Sequence, residues 1–97
     1  MDQNINVGWD DILADIAKDA IEGTGYRVGG VHKSRRLMDA NDVGYAIHLK
    51  RKDDFERIVS VYIRGNTLNV AGQIFQISNP NIVPFIKLAI IGEMRYQ

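Results

Sequence analysis

The chain has 97 residues, no cysteine, and twelve basic and twelve acidic side chains. This length fits a single domain over residues 1–97, and the 45% apolar and 25% charged fractions are those of an ordinary globular protein. The missing cysteines exclude disulfides, thiol nucleophiles and thiolate zinc sites, and the zero net charge excludes a global attraction to nucleic acid or anionic membranes.

The N-terminus lacks the basic start and apolar run of a signal peptide. The chain also contains no apolar stretch of about 18 residues, the length that suggests a membrane span. We therefore expect a soluble, cytoplasmic protein. Its balanced charge is unevenly distributed, because residues 1–22 carry six acids and one base whereas residues 23–64 carry nine bases and five acids.

The first element is a predicted amphipathic helix over residues 9–21, where apolar side chains recur at intervals of three and four. Asp10 and Asp11 complement the positive end of the helix dipole, and Gly23 is placed to end the helix in a left-handed conformation. The other face is charged. Such a face is typical of a solvated surface, and an acidic docking face is the alternative.

Residues 26–31 have weak strand character that Gly29 and Gly30 interrupt. The basic cluster His-Lys-Ser-Arg-Arg follows at 32–36. We expect it in an exposed connection between two strands, although a basic loop of this kind could also contact phosphates.

The strongest strand signals lie in residues 44–51 and 57–70, where apolar and polar side chains alternate. Gly65-Asn66 divides the second stretch and suits a two-residue type II′ hairpin turn. This turn predicts four cross-strand pairs: Arg64 with Thr67, Ile63 with Leu68, Val61 with Val70, and Val59 with Gly72.

A five-residue connection over 52–56 is expected to join these strands as an antiparallel hairpin. It predicts the pairs Leu49 with Val59, Ile47 with Val61, and Tyr45 with Ile63. Both hairpins then place their branched apolar side chains on one face of the sheet, which is the consistency expected of a foldable sequence.

The alternation changes parity after Val70, because Leu68 and Val70 are even-numbered core positions whereas Phe75 and Ile77 are odd-numbered. A single extra residue produces such a change. Gly72 is therefore either a β-bulge in a long strand or part of a tight turn into a fifth strand.

A second helix is predicted from a cap at Asn81 to about Gly92, with Pro84 in its first turn. Its side chains are apolar nearly all round, which is typical of a helix that is deeply buried or covered by a partner. A chain of 97 residues has few other elements that could bury this helix on every side. We therefore expect self-association or a partner protein here. The predicted protein interface is Val83, Lys87, Leu88 and Ile91.

The predicted fold is α+β, in the order α-β-β-β-β-α. It is a two-layer sandwich in which an antiparallel sheet of four to five strands carries the N-terminal and C-terminal helices on one face.

The helix-free face of this sheet is the main place to look for chemistry. The predicted register puts His48 opposite Ser60, which suggests a base and a nucleophile. A flat solvated face, however, provides neither an orienting carboxylate nor an oxyanion hole. His32 and His48 are the only histidines in the sequence and lack metal-ligand spacing. The sequence thus indicates no catalytic, metal or cofactor site, and we expect a protein that is not an enzyme.

The leading hypothesis is a small non-enzymatic binding protein that acts through protein–protein contacts as a homodimer. It would be an inhibitor, adaptor or regulator, of a size common among phage and mobile-element accessory proteins. The alternative is nucleic-acid binding by the helix-free face and the basic loop, with Tyr62 stacking on a base. The predicted nucleic-acid contacts are Lys33, Arg35, Arg36, His48, Lys50, Lys52, Tyr62 and Arg64.

Overall fold

The structure is a computed structural model that describes residues 8–34 and 43–95 and shows the predicted α+β architecture. Its five strands form one open antiparallel sheet in the order β1-β2-β3-β4-β5, with both helices packed against the same face. The elements are α1 (Trp9–Ala20), β1 (Tyr26–Ser34), β2 (Val43–Arg51), β3 (Glu56–Arg64), β4 (Thr67–Val70), β5 (Gln73–Gln76) and α2 (Ile82–Arg95).

The helix predicted from the periodicity of residues 9–21 is confirmed as α1. Its apolar stripe, which includes Leu13 and Ile16, is buried against the sheet, and Asp10 and Asp11 lie in the first turn. The helix is capped by Ile21, and Gly23 adopts the expected left-handed conformation at φ +79°.

The hairpin between β2 and β3 has a shorter loop than predicted. The Arg51 N–H donates to the Phe55 carbonyl at 2.9 Å, and the Asp54 N–H donates to the Arg51 carbonyl at 3.1 Å. Asp54 has φ +67°, so residues 52–54 form a three-residue loop that ends in a left-handed residue. The predicted loop over 52–56 was wrong, because Phe55 and Glu56 belong to the hydrogen-bonded pairing of the two strands.

This shorter loop moves the β2–β3 register by two residues. Ile47 lies opposite Val59, Leu49 opposite Arg57, and Tyr45 opposite Val61, in place of the predicted partners. Because side chains alternate with a period of two, an even shift leaves every side chain on its predicted face. The predicted neighbours on each face were therefore wrong, whereas the division into two faces was correct.

The hairpin at Gly65-Asn66 is confirmed, with Arg64 paired with Thr67, and Val61 paired with Val70. The predicted pair of Val59 with Gly72 does not form, because β4 ends at Val70. The chain turns there at Ala71-Gly72, where both residues have positive φ (+52° and +91°), as a type I′ turn requires. Gly72 thus belongs to a tight turn into a fifth strand, and the bulge alternative is excluded.

The first strand extends further than the sequence indicated. It runs to Ser34, with a register irregularity at Gly29 between Val28 and Gly30. His32 therefore pairs with Ala46 inside the sheet and does not lie in a basic loop. The rest of the predicted loop, including Arg35 and Arg36, lies outside the described residues.

The second helix ends at Arg95, almost one turn beyond the predicted end, and has Pro84 in its first turn as expected. Asn81 precedes the helix, and its carbonyl accepts the Phe85 N–H at 3.1 Å. The side chain that turns the chain into the helix is that of Asn79, whose Oδ1 accepts the Asn81 N–H at 2.8 Å.

One hydrophobic core lies between the sheet and the helices. The buried side chains come from α1, β2, β3, β4 and α2, with Leu13, Ile47, Val59, Leu68 and Ile90 fully enclosed. α1 covers β1 and β2, whereas α2 covers β3, β4 and β5. The described helices include none whose length and apolar character would let it cross a membrane.

A candidate binding face on the sheet

The face of the sheet that carries no helix is the candidate functional surface, and we call it the outer face. Its residues follow from the observed register and the alternation of side chains along each strand. They are Arg27, Gly30 and His32 of β1, Ala46, His48 and Lys50 of β2, Glu56, Ile58, Ser60, Tyr62 and Arg64 of β3, Thr67 and Asn69 of β4, and Ile74 and Gln76 of β5.

Large apolar side chains are exposed on this face. Ile58 is 49% exposed, Tyr62 is 43% exposed and Ile74 is 66% exposed. Ser60 lies between Ile58 and Tyr62 along β3 and pairs with Ala46 of β2. The outer face therefore presents several large apolar side chains to solvent, and exposed apolar patches often mark interaction sites.

A shallow depression of about 320 Å³ opens on the β3–β5 part of the outer face. Tyr62, Asn69 and Ile74 lie in one cross-strand row that lines it, and Arg64 and Thr67 form the adjoining row. Asn69 Oδ1 accepts the Gly72 N–H at 2.9 Å, which fixes the amide orientation and leaves the Nδ2 donors for a binding partner.

The charges on the outer face are mainly positive. Arg27, Lys50 and Arg64 lie on it by register, and Glu56 is its one carboxylate among the described residues. That carboxylate is engaged by His48, since Glu56 Oε2 lies 2.9 Å from His48 Nδ1. The outer face thus favours a partner that is acidic or rich in hydrogen-bond acceptors.

The predicted base and nucleophile do not face each other. His48 lies opposite Ile58, and Ser60 lies opposite Ala46, because of the two-residue register shift. The His48 ring instead meets the His32 ring edge to face, with 5.1 Å between centroids. Among the described residues, no cluster of three or more His, Asp or Glu side chains could hold a metal ion.

Another polar cluster lies at the tip of the β2–β3 hairpin. Asp53 accepts two hydrogen bonds from the Arg51 guanidinium, at 3.0 and 2.5 Å, and these bonds lower the pKa of the Asp53 carboxyl to about 2. The Arg51 guanidinium also lies 4.7 Å from the Phe55 ring centre. These contacts hold the loop in its turn, so we assign the cluster a structural role.

The residues predicted for a helical interface lie on different sides of α2. Leu88 is 63% exposed and points away from the sheet, because the buried Ile86 and Ile90 are each two positions away, about 200° around the helix. Lys87 instead donates to Asp19 of α1 at 2.9 Å. Val83 is exposed, whereas Ile91 is half-buried against the core.

The structure brings part of the predicted nucleic-acid set together. His48, Lys50, Tyr62 and Arg64 share the outer face, whereas Lys33 falls on the helix side of β1 by alternation and Lys52 lies in the hairpin loop. Arg35 and Arg36 lie outside the described residues.

Sequence reasoning left Arg27, Ile58 and Ile74 out of the candidate contacts. Ile58 is an even-numbered residue, whereas the buried Val59 and Val61 are odd-numbered. Alternation along this strand therefore already indicated that Ile58 would be exposed. The orientation of Ile74 depends on the turn at Ala71-Gly72, which the sequence left open.

Comparison with known proteins adds no functional constraint. No protein family model matches the chain, and no curated protein or solved structure matches it. Function is therefore inferred from the chemistry of the outer face and of the layer formed by α1 and α2, which we call the helix layer.

Proposed function

We propose that this chain is a small cytoplasmic, non-enzymatic binding protein, an inhibitor, adaptor or regulator of phage or mobile-element type, that acts through protein–protein contacts. The observation that carries the proposal is the exposure of Ile58, Tyr62 and Ile74 on one open face of the sheet. Solvating these side chains is unfavourable, so a partner that covers them gains roughly 25 cal/mol per Å² of apolar surface removed from water.

The polar groups around these side chains determine which chemical groups of a partner can bind beside them. Asn69 Nδ2, the Thr67 hydroxyl and the cations at the rim supply mainly hydrogen-bond donors, and the one described carboxylate on the face is already held by His48. A partner with carboxylates or carbonyl oxygens beside an apolar side chain complements this arrangement.

Site-directed photocrosslinking tests the proposal. A photoreactive phenylalanine analogue replaces Ile74, and the matched control carries it at Lys52, which is also exposed but lies at the hairpin tip. We expect the Ile74 variant to cross-link to a protein in host extract and Tyr62→Glu to abolish the cross-link. Equal adducts from both positions, or adducts insensitive to Tyr62→Glu, would contradict the proposal.

Nucleic acid is the second candidate partner. Lys50, Tyr62 and Arg64 lie together on the outer face, which is more basic than the helix layer. Tyr62 is exposed enough to stack on an unpaired base, and the cations could contact phosphates. Tyr62 is the one Phe, Tyr or Trp ring on the described outer face, and this together with the zero net charge of the chain makes nucleic acid a weaker candidate than a protein partner.

Titration with single- and double-stranded oligonucleotides at low salt tests this candidate by fluorescence anisotropy. Binding should weaken steeply with added salt and with Lys50→Ala, and Tyr62→Ala should remove a stacking contribution of roughly 1–3 kcal/mol. The control is Lys18→Ala, which removes a cation from the opposite side of the molecule. A flat titration for every oligonucleotide eliminates nucleic acid as the partner.

A further inference from the structure

The helix layer presents an outward surface that complements the outer face in charge. On α1, Asp11 and Asp15 are exposed and lie opposite the buried stripe that contains Leu13 and Ala17, and the exposed Glu22 follows just after the helix. Lys18 is the one base that accompanies them on this side of the helix. The outward surface of α1 is therefore acidic, whereas the outer face of the sheet is basic.

The outward surface of α2 is apolar, as is part of the outer face. Leu88 is 63% exposed and points away from the sheet, and the exposed Pro84 lies one turn before it on the same side. Arg95 follows at the C-terminal end and is also exposed. This distribution explains why α2 is apolar nearly all round: one side faces its own core and the other faces outward.

The two surfaces correspond strand by strand across the thickness of the molecule, at the level of which helix covers which strands. α1 covers β1 and β2, whose outer side carries Arg27 and Lys50, whereas α2 covers β3, β4 and β5, whose outer side carries Ile58, Tyr62 and Ile74. The acidic helix thus lies over Arg27 and Lys50, and the apolar helix lies over the exposed Ile58, Tyr62 and Ile74, although β3 also carries Glu56 and Arg64.

The direction along the strands also matches. The C-terminal half of α2 lies near the start of β3, since Glu93 contacts Arg57 at 3.6 Å, and its N-terminal half lies near β5, since the Phe85 ring stacks on Phe75 at 5.7 Å. Arg95 is therefore above the end of the sheet whose outer side carries Glu56.

We propose that the outer face binds the helix layer of a second copy of this chain, so that copies stack head to tail in alternating sheet and helix layers. This inference rests on the proposed function and names the partner. In such a stack the acidic outward side of α1 would face Arg27 and Lys50 of the next copy, and Leu88 would face the apolar part of its outer face.

The dimensions and the net charge suit this contact. The molecule measures 40 × 30 × 22 Å, and a face of 40 by 30 Å exceeds the ~800 Å² that each partner buries in a typical stable interface. The zero net charge leaves no overall repulsion between copies. Because the two contacting surfaces differ, the interface is heterologous and continues from copy to copy unless it is blocked.

Paired blocking variants test the stack by sedimentation velocity. Ile74→Glu places a carboxylate on the outer face, and Leu88→Glu places one on the helix layer, both at exposed positions that leave the core intact. We expect wild type to form larger species as concentration rises, and each variant alone to lose this assembly. Mixing the variants should restore a single intact interface and yield a dimer that does not grow further.

Cysteine cross-linking tests the geometry, because the chain has no native cysteine. We expect Tyr62→Cys and Leu88→Cys proteins to form a mixed cross-linked dimer with a short thiol-reactive reagent. Cross-linking within either pure variant, at a rate equal to that of the mixture, would indicate a symmetric interface and overturn the stack.

The remaining outcomes separate this inference from the proposed function. A wild-type chain that stays monomeric at high concentration and low salt overturns the stack, as does a mixture of the blocking variants that stays monomeric. If the Ile74 photocrosslink to a different protein persists under those conditions, the proposed function stands without the stack. Circular dichroism and thermal melting of each variant exclude misfolding as the cause.

Discussion

At the scale of single residues, the best-defined electrostatic interaction is the pair of Arg51 and Asp53 at the hairpin tip. Both bonds are charge-assisted, and the Arg51 side chain also lies over the Phe55 ring. The pair closes the three-residue loop that sets the β2–β3 register, so a local interaction decides which residues face each other on the outer face.

This pair predicts a specific pH dependence. The hydrogen bonds from Arg51 lower the pKa of Asp53 from 3.8 to about 2 in the folded protein. A carboxyl with a depressed folded pKa contributes stability that is present above its unfolded pKa and is lost as the pH falls through its folded pKa. The contribution of Asp53 should therefore disappear between about pH 4 and pH 2.

The measurement is an NMR titration of the Asp53 carboxyl carbon in wild type, Arg51→Gln and the control Lys52→Gln. We expect a midpoint near 2 in wild type and the control, and a midpoint raised towards 3.8 in Arg51→Gln, where the Phe55 N–H still donates to Asp53. Similar midpoints in wild type and Arg51→Gln would show that the guanidinium does not hold the carboxylate.

At the scale of elements, α2 has two apolar sides with different roles. Ile86 and Ile90 are fully enclosed against the sheet, whereas Leu88 is exposed on the opposite side. Burial makes the first side responsible for stability, and exposure leaves the second side available for contact with another molecule.

Truncation of the two sides should therefore have different effects. We expect Ile90→Ala to lower the free energy of unfolding by about 2–5 kcal/mol, because it removes buried methyl groups and leaves a cavity. Leu88→Ala should change it by less than about 0.5 kcal/mol, since little buried surface is lost. Urea unfolding at low protein concentration measures both, and a large loss in Leu88→Ala would mean that this residue is part of the core.

At the scale of the whole molecule, the important feature is the separation of charge between layers. Acidic side chains gather on the outward surface of α1, and basic side chains gather on the outer face of the sheet. A chain with zero net charge can therefore still present two complementary surfaces. The same polarity would orient the acidic partner proposed above towards the sheet.

The sequence by itself determined both helices, strands β2 to β4, and which side of α1 and of these strands is buried. Periodicity and turn residues are local properties, so α1, the hairpin at Gly65-Asn66 and the two faces of the sheet could be derived residue by residue. For the same reason, His48, Lys50, Tyr62 and Arg64 could be assigned to one face before their cross-strand neighbours were known.

Only the tertiary structure decided how these elements meet. The backbone hydrogen bonds of residues 51–55 make the loop shorter than predicted, so Ile58 lies opposite His48 in place of the predicted Ser60. The positive φ angles at Ala71-Gly72 created the fifth strand and placed Ile74 outward. The packing of each helix over particular strands depends on contacts between distant residues, so periodicity could not reveal that the acidic helix lies over Arg27 and Lys50.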